Sequence, residues 1–291
     1  MFRCFGVALA ATLLAGSVAA QAPTVEVYEF QGSAPWFGGF SAIEVDEAGR
    51  KFRALTDGGT LVHGAFERTQ GRITGHSIEK AVTLTQADSS PLKDWETDTE
   101  GLEWDSKTGD MFISGEAEQA IWRVDDGRMT RLPTSKVFHQ LPQNGRLEAI
   151  AQSPSGALYV IPERPGPINK GIPIYRLNGE TWDIAANLPR SAGFVVTGAD
   201  FDETGQLWVV ERAFNGFGFR SRIRRINLET GRARNLFTSG YWDFGNLEGI
   251  SVRRTQTSFV ATLISDDNFR PVLPSQIVEI TFALGKPPTK P

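Results

Sequence analysis

The residues best suited to chemistry are carboxylates that recur at comparable places along the chain. Asp57, Glu100, Glu116, Glu148, Glu163, Glu211, Glu248, Asp266 and Asp267 each stand at the edge of a short apolar run. Brought together, such acids repel: two carboxylates about 5 Å apart at an effective dielectric of about 20 lose about 3 kcal/mol. Protonation, pairing with arginine, or a bound hard cation relieves that cost. Arg164 and Arg212 directly follow Glu163 and Glu211, and Arg220, Arg222 and Arg270 stand in nearby segments. Oxygen donors without a cysteine or histidine cluster suit Ca²⁺, with Mg²⁺ disfavoured by its stricter geometry. The plainer alternative is that the glutamates cap neighbouring strands through backbone N–H groups, and both roles can hold for different residues.

The elements that would gather these acids are hairpins. Residues 98–116 read DTEGLEWDSKTGDMFISGE, with an apolar run on each side of a turn at Ser106–Gly109. Gly109 can take the positive φ that such a turn requires. Antiparallel pairing about that turn sets Glu100 and Glu116 at one end of the hairpin. The pattern recurs from Phe40, Leu147, Gly198 and Leu247. With Ser41, Glu100, Glu148, Gly198 and Glu248 as equivalents, the spacings are 59, 48, 50 and 50 residues. A period near 50 with several short strands per unit marks a β-propeller. A β-sandwich gives no reason for an even period. The expected fold is therefore all-β, a propeller of five recognisable blade repeats, with a sixth degenerate blade left open by the count.

First strands of propeller blades line the central channel. Their starts, and the ends of the second strands, then share one mouth, where the acids collect. Residues 24–30 and 276–282 alternate as strands, and the first is expected to complete the last blade beside the second. An insert spanning residues 67–92 lengthens the first repeat and is expected to hold an additional pair of strands.

Several chemistries are excluded by what is missing. The three histidines, His63, His76 and His139, have no partner at zinc-ligand spacing. No Gly-x-Ser-x-Gly and no glycine-rich phosphate loop occur. His63 follows the first hairpin, near the acid mouth by the same geometry, where it would serve as a general acid or as a plain loop residue. Trp104, Trp122 and Trp208 occupy strand positions suited to packing between blades, whereas Trp36 and Trp242 lie in loops where a ligand would meet them.

The formal net charge is −4, with no basic stripe interleaved with aromatics, which argues against a nucleic-acid partner. Residues 1–20 read as a signal peptide: Arg3, an apolar stretch too short to span a membrane, and a small-residue cleavage site at Val18-Ala19-Ala20. Its removal takes away Cys4, the one cysteine, and leaves 29 basic against 34 acidic residues. The expected organisation is a leader over 1–20, a propeller over 21–285 and a proline-rich disordered tail over 286–291. The expected address is the periplasm or the medium. No membrane span is expected, and the expected state is a monomer.

The Glu-Gly/Ala starts at Glu100, Glu148 and Glu248, with Thr56-Asp57-Gly58 and Pro162-Glu163-Arg164, resemble the esterase-like phytase family. The resemblance covers residues 37–282. It implies a secreted or periplasmic β-propeller that hydrolyses esters, with calcium-dependent phytases as suggested relatives. Residues 99–116 are also similar, more weakly, to the calcium-dependent lactonase propellers, in which Glu100, Asn215 and Asp266 would take the metal-site parts. From the acids gathered at the mouth, Asp57, Glu100, Glu148, Glu248 and Asp266 are expected to hold Ca²⁺. Glu163, Glu211 and His63 are the expected proton-transfer groups. Arg164, Arg212 and Arg222 are expected to bind the substrate, a small-molecule ester with a phosphoester favoured. A lactone hydrolase, or a propeller that binds a ligand without turning it over, are the alternatives.

Overall fold

The structure, a computed structural model, describes residues 21–93, 96–115, 119–142, 145, 147–164, 171–191, 193–267 and 275–284. The expected leader, the expected tail, Glu116 and Arg270 lie outside the described residues. Short β-favouring runs punctuated by turns give strands throughout, and there is no α-helix among the described residues. None of the described residues forms a helix long and apolar enough to cross a membrane.

Strand β1 (Thr24–Glu29) comes first. The first blade follows as β2 (Phe40–Val45), β3 (Lys51–Thr56), β4 (Thr60–Thr69) and β5 (Arg72–Thr83). After the two-residue β6 (Thr85–Gln86), the second blade is β7 (Thr99–Trp104), β8 (Met111–Gly115), β9 (Ala120–Asp125) and β10 (Arg128–Arg131). The third is β11 (Leu147–Gln152), β12 (Leu158–Pro162), β13 (Gly171–Asn178) and β14 (Thr181–Pro189). The fourth is β15 (Val195–Phe201), β16 (Leu207–Phe214), β17 (Phe219–Asn227) and β18 (Arg232–Thr238). The fifth is β19 (Asn246–Arg254), β20 (Ser258–Asp266) and β21 (Gln276–Ala283).

The fifth blade takes its outer strand from the start of the chain. β1 pairs antiparallel with β21, from Thr24 opposite Thr281 to Glu29 opposite Gln276. The inner strands β2, β7, β11, β15 and β19 contact one another in sequence, and β19 returns to β2, so the ring closes at five blades. The insert in the first repeat does not add a pair of strands. It supplies the long β4–β5 hairpin, and β6 adds a short parallel edge to β10.

Hydrophobic burial holds the ring together at its seams. Each of five apolar clusters joins two neighbouring blades. Trp208 of the fourth blade is buried against Phe259 and Phe282 of the fifth, with ring centres 5.6 and 5.3 Å away. Full burial of one such side chain stabilises by roughly 1.5–3 kcal/mol. Trp104 meets Arg53 of the first blade, its guanidinium 4.3 Å from the ring centre. The strand tryptophans thus pack blades together, as their positions imply.

One irregularity repeats in every blade and shapes the channel. The inner strand slips register against its neighbour between Phe40 and Ala42, Thr99 and Leu102, Leu147 and Ala149, Val196 and Gly198, and Leu247 and Gly249. Such bulges re-aim a side chain and sit next to active sites. The bulged residues are Ser41, Glu100, Glu148, Thr197 and Glu248. The fourth repeat's equivalent is therefore Thr197 rather than Gly198. A small residue follows each bulge because the next inner strand passes close by. A Cβ on Gly101 would lie 2.7 Å from the Glu148 carbonyl oxygen, and one on Gly249 would lie 2.6 Å from the Ile43 nitrogen. The Glu-Gly/Ala motif is thus an acid turned inward plus room for the adjoining blade.

Candidate active site

The bulges divide their work by residue type. Ser41 Oγ donates to the Thr99 carbonyl at 2.9 Å, and Thr197 Oγ1 to the Leu247 carbonyl at 3.1 Å. These hydroxyls fasten one blade to the next. The three glutamates cannot donate when ionised, and they converge. One oxygen from each of Glu100, Glu148 and Glu248 lies within 4.8 Å of the others. They form the floor of a cavity of about 390 Å³, which Asp57, Asp98, Glu163, Arg164, Arg212 and Asp266 also line.

Arg212 answers much of this charge. Its Nη1 donates to Asn246 Oδ1 at 2.7 Å and contacts Glu248 Oε1, and its Nη2 lies 3.4 Å from Glu163 Oε1. Asn246 Nδ2 reaches Glu248 Oε1 at 2.7 Å and Asp266 Oδ2 at 3.4 Å. Arg164 Nε donates to Glu163 Oε2 at 3.0 Å while its side chain stays largely exposed.

The remaining charge shows in proton affinity. Burial, then the fields of Glu100, Glu248 and Glu163, raises the Glu148 carboxyl well above its ordinary range, against the opposing pull of Arg212. Burial pushes Glu248 up to about 7, with Arg212 and Asn246 opposing and Asp266 and Asp57 adding to the rise. Burial and Asp266 push Asp57 up to about 6. For Arg212, burial works against the charged form, but Glu248, Glu148, Glu163 and Glu100 prevail and raise it.

Eight expected residues therefore meet at the mouth: Asp57, Glu100, Glu148, Glu163, Arg164, Arg212, Glu248 and Asp266. Three do not. Glu211 is fully buried and does not line the mouth cavity; Arg222 Nε and Arg224 Nε reach its Oε2 at 2.8 and 2.7 Å. Arg222 is consumed by that pair and lies over Phe194, 4.0 Å from the ring centre. His63 sits on β4 opposite Arg53 and Lys80, away from the channel. Burial and those two cations lower it to about 4, so it is neutral near neutrality and no general acid at the mouth.

Other expectations need correction too. Asp267 accepts from Gly39 N at 3.0 Å and Ser275 Oγ at 3.1 Å, which fixes a loop. Asn215 caps its own turn through Phe217 N and Gly218 N. Asn246 is the asparagine beside the acids. Neither Trp36 nor Trp242 lines the mouth. Asp98 and Asn246 were legible but overlooked: each stands two residues before a bulged glutamate. A second cavity of about 970 Å³ adjoins the mouth, shares Glu163, Arg164 and Arg212, and adds Arg190, Phe194, Phe214 and Phe219.

Comparison with known proteins gives a family. A family model described as phytase-like, "esterase-like activity of phytase", matches residues 35–269. Among solved structures, the hydrazine synthase of Kuenenia stuttgartiensis is similar over 86% of this chain and 65% of its own, at 12% identity and a TM-score of 0.42. A gluconolactonase from Xanthomonas campestris is similar over 83% of this chain and 72% of its own, at 12% identity and a TM-score of 0.47. The RRP9 WD40 repeats are similar over 91% of this chain and 100% of their own, at 8% identity and a TM-score of 0.48. No protein of curated function matches the chain.

Proposed function

The chain belongs to the phytase-like, esterase-like family, and on that premise we propose that it is an exported, Ca²⁺-dependent hydrolase of ester bonds, with phosphoesters the favoured class. The observation that carries this is the convergence of Glu100, Glu148 and Glu248 beside Arg212 and Arg164 at one open mouth. The donor set fits the ion. It is carboxylate oxygen from three blades, and neither cysteine nor histidine lines the cavity. Glu100, Glu148 and Glu248 would hold Ca²⁺, with Asp57 and Asp266 on the same wall. When bound, Ca²⁺ supplies a Lewis acid that polarises the ester oxygen.

The chain's own residues do the rest. Arg164 extends over the mouth and Arg190 over the adjoining cavity, so both can bind phosphate oxygens by charge-assisted hydrogen bonds. Glu163, held between Arg164 and Arg212, is the carboxylate that takes a proton from the attacking water. Phe194, Phe214 and Phe219 present an apolar wall to the rest of the substrate.

A ligand-binding propeller without turnover is the second reading, favoured by Arg212, whose guanidinium partners Glu248 and so neutralises part of the acid cluster. Assays on phosphoesters, acyl esters and lactones, each with chelator and with Ca²⁺, separate the two. The expected outcome is phosphoester turnover that chelation abolishes and Ca²⁺ restores; ligand binding without turnover on any substrate means the hydrolase reading is wrong. Thermal melts of Glu148→Gln add a sign. The change relieves repulsion, so it raises stability in chelator. With saturating Ca²⁺ it removes a stabilisation of about 2.7 kcal/mol at a hundredfold excess over Kd. Equal losses in both conditions would make the carboxylate a structural cap.

A further inference from the structure

The far end of the channel carries a second set of acids that the proposed reaction does not use. Three residues beyond each bulge stand Glu44, Glu103, Ala151, Asp200 and Ser251. Glu44, Glu103 and Asp200 are buried, and one oxygen from each lies within 4.8 Å of the others. Between this cluster and the mouth the inner strands close to a void of about 10 Å³, lined by residues such as Ile43, Leu102, Ile150 and Ile250. The two ends are therefore separate sites.

Each acid uses one oxygen to hold a neighbouring inner strand. Glu44 Oε2 accepts from Ser251 Oγ at 2.8 Å, Glu103 Oε2 from the Gln152 N–H at 2.6 Å, and Asp200 Oδ2 from the Val252 N–H. The other oxygens are what the cluster offers a ligand. Glu44 Oε1 is buried with no hydrogen-bond partner. Such an atom forfeits its hydration with no return. Nor does an arginine or lysine answer the charge. The cations that line the cavity at this end are Lys107, Arg253 and Arg254, and they pair with Glu47, Glu279 and Glu203. Among the described residues, no ion pair involves Glu44, Glu103 or Asp200.

We propose that Glu44, Glu103 and Asp200 bind a second hard divalent cation of the Ca²⁺ type, which ties the first, second and fourth blades together at the end of the channel opposite the mouth. The donors are carboxylate oxygens, as Ca²⁺ prefers. The cavity of about 770 Å³ that opens from the cluster admits the water needed to complete six to eight ligands. The site is structural. It acts on ring closure, and its loss leaves the mouth's residues in place.

Calorimetric titration of the chelator-stripped full chain with Ca²⁺ tests this. Wild type is expected to bind two equivalents, Glu103→Gln one and Glu148→Gln one. Glu103→Gln keeps an oxygen for the Gln152 N–H, so the strand contact survives. Asp200→Asn is the second variant, and it should lose the same equivalent. Should the mouth bind no Ca²⁺, wild type and Glu148→Gln would each bind one equivalent and Glu103→Gln none; the far site would stand and the mouth proposal would fall. If Glu103→Gln and Asp200→Asn, both folded by circular dichroism, bind as much Ca²⁺ as wild type, the far site does not exist and the triad is a protonated one.

Discussion

The two ends of one channel carry acid triads made by the same repeat, three residues apart on the inner strands, yet their counter-charges differ. At the mouth Arg212 touches Glu163, Asn246 and Glu248, and Arg164 extends beyond it. At the far end the nearby cations are engaged elsewhere. On the proposed reading, an arginine among carboxylates would offer an anion-binding face beside a cation-binding floor, the pair that an ester oxyanion would need. Three carboxylates without an arginine can satisfy only a cation or protons. The repeat supplies the acids, and the residues on the second strands decide what each end can do.

The largest expected effect comes from removing that difference. Arg212 is four-fifths buried with the acids it partners. Truncating one partner of a buried pair costs about 3–5 kcal/mol, because the other is left uncompensated. Arg212→Ala is expected to lose that much in urea denaturation run with chelator. Ca²⁺ should recover part of it by taking over the neutralisation of Glu248. A loss below about 1 kcal/mol would mean that the pair behaves as an exposed one and that the mouth does not depend on its arginine.

The second prediction is a pH dependence shared by both ends. Burial raises Asp200 from 3.8 to about 7, and burial with the neighbouring acids raises Glu44 and Glu103 well above their ordinary range. At the mouth Glu248 rises from 4.5 to about 7 and Asp57 from 3.8 to about 6. Each folded value exceeds the unfolded one, so the folded state holds protons more tightly. The associated stability is complete below the ordinary carboxylate values and is lost as pH rises through about 6 to 7. In chelator, the melting temperature should therefore fall from about pH 5 to about pH 8. Glu103→Gln should flatten the far-end share of that slope and Glu148→Gln the mouth share. Ca²⁺ should oppose the slope, since it replaces the protons. A melting temperature that rises with pH in chelator would show that the triads stay ionised and unliganded.

Much of this was legible from turns and spacing. The period near 50 gave the blades, the strand at residues 24–30 gave the closure, and hairpin geometry brought eight of the expected residues to one mouth. The misses have physical causes. Glu211 matches Glu163 by repeat position, but β12 stops at Pro162 while β16 runs on to Phe214, and β17 sets Arg222 directly opposite Glu211, with Arg224 two residues on. The Arg-x-Arg at 222–224 was visible, but its pairing register was not. His63 follows the Asp57–Gly59 turn, which carries the chain outward to β4, so it cannot face the channel. The far-end acids stand three residues after three of the five bulges, where Ala151 and Ser251 follow the other two. Hairpin pairing marks the mouth ends of the inner strands, whereas these acids stand near the opposite, turn ends of β2, β7 and β15. The bulges themselves have no sequence signature beyond a small residue after the inward one, and they make Thr197 rather than Gly198 the fourth equivalent.

The smallest expected effect separates carboxylate chemistry from bulge position. Thr197 and Ser41 occupy the same bulge as the three mouth glutamates, but they donate to carbonyls of the next blade. Thr197→Val keeps the branched shape and removes the hydroxyl. The Leu247 carbonyl then loses a buried donor, which costs about 1 kcal/mol. Because Leu247 immediately precedes Glu248, the variant also slackens the link between the fourth and fifth blades at the mouth. If the carboxylates alone hold the ion, Thr197→Val should lower stability equally with Ca²⁺ and with chelator, and its Ca²⁺ stoichiometry should match wild type. Ser41→Ala, which removes the donor to the Thr99 carbonyl beside Glu100, should behave the same way. Both are checked by paired thermal melts and calorimetric titration. A Ca²⁺ affinity that falls as far as in Glu148→Gln would show that the ring of five bulges, hydroxyls included, positions the ion, and the division of labour between staples and ligands would have to be abandoned.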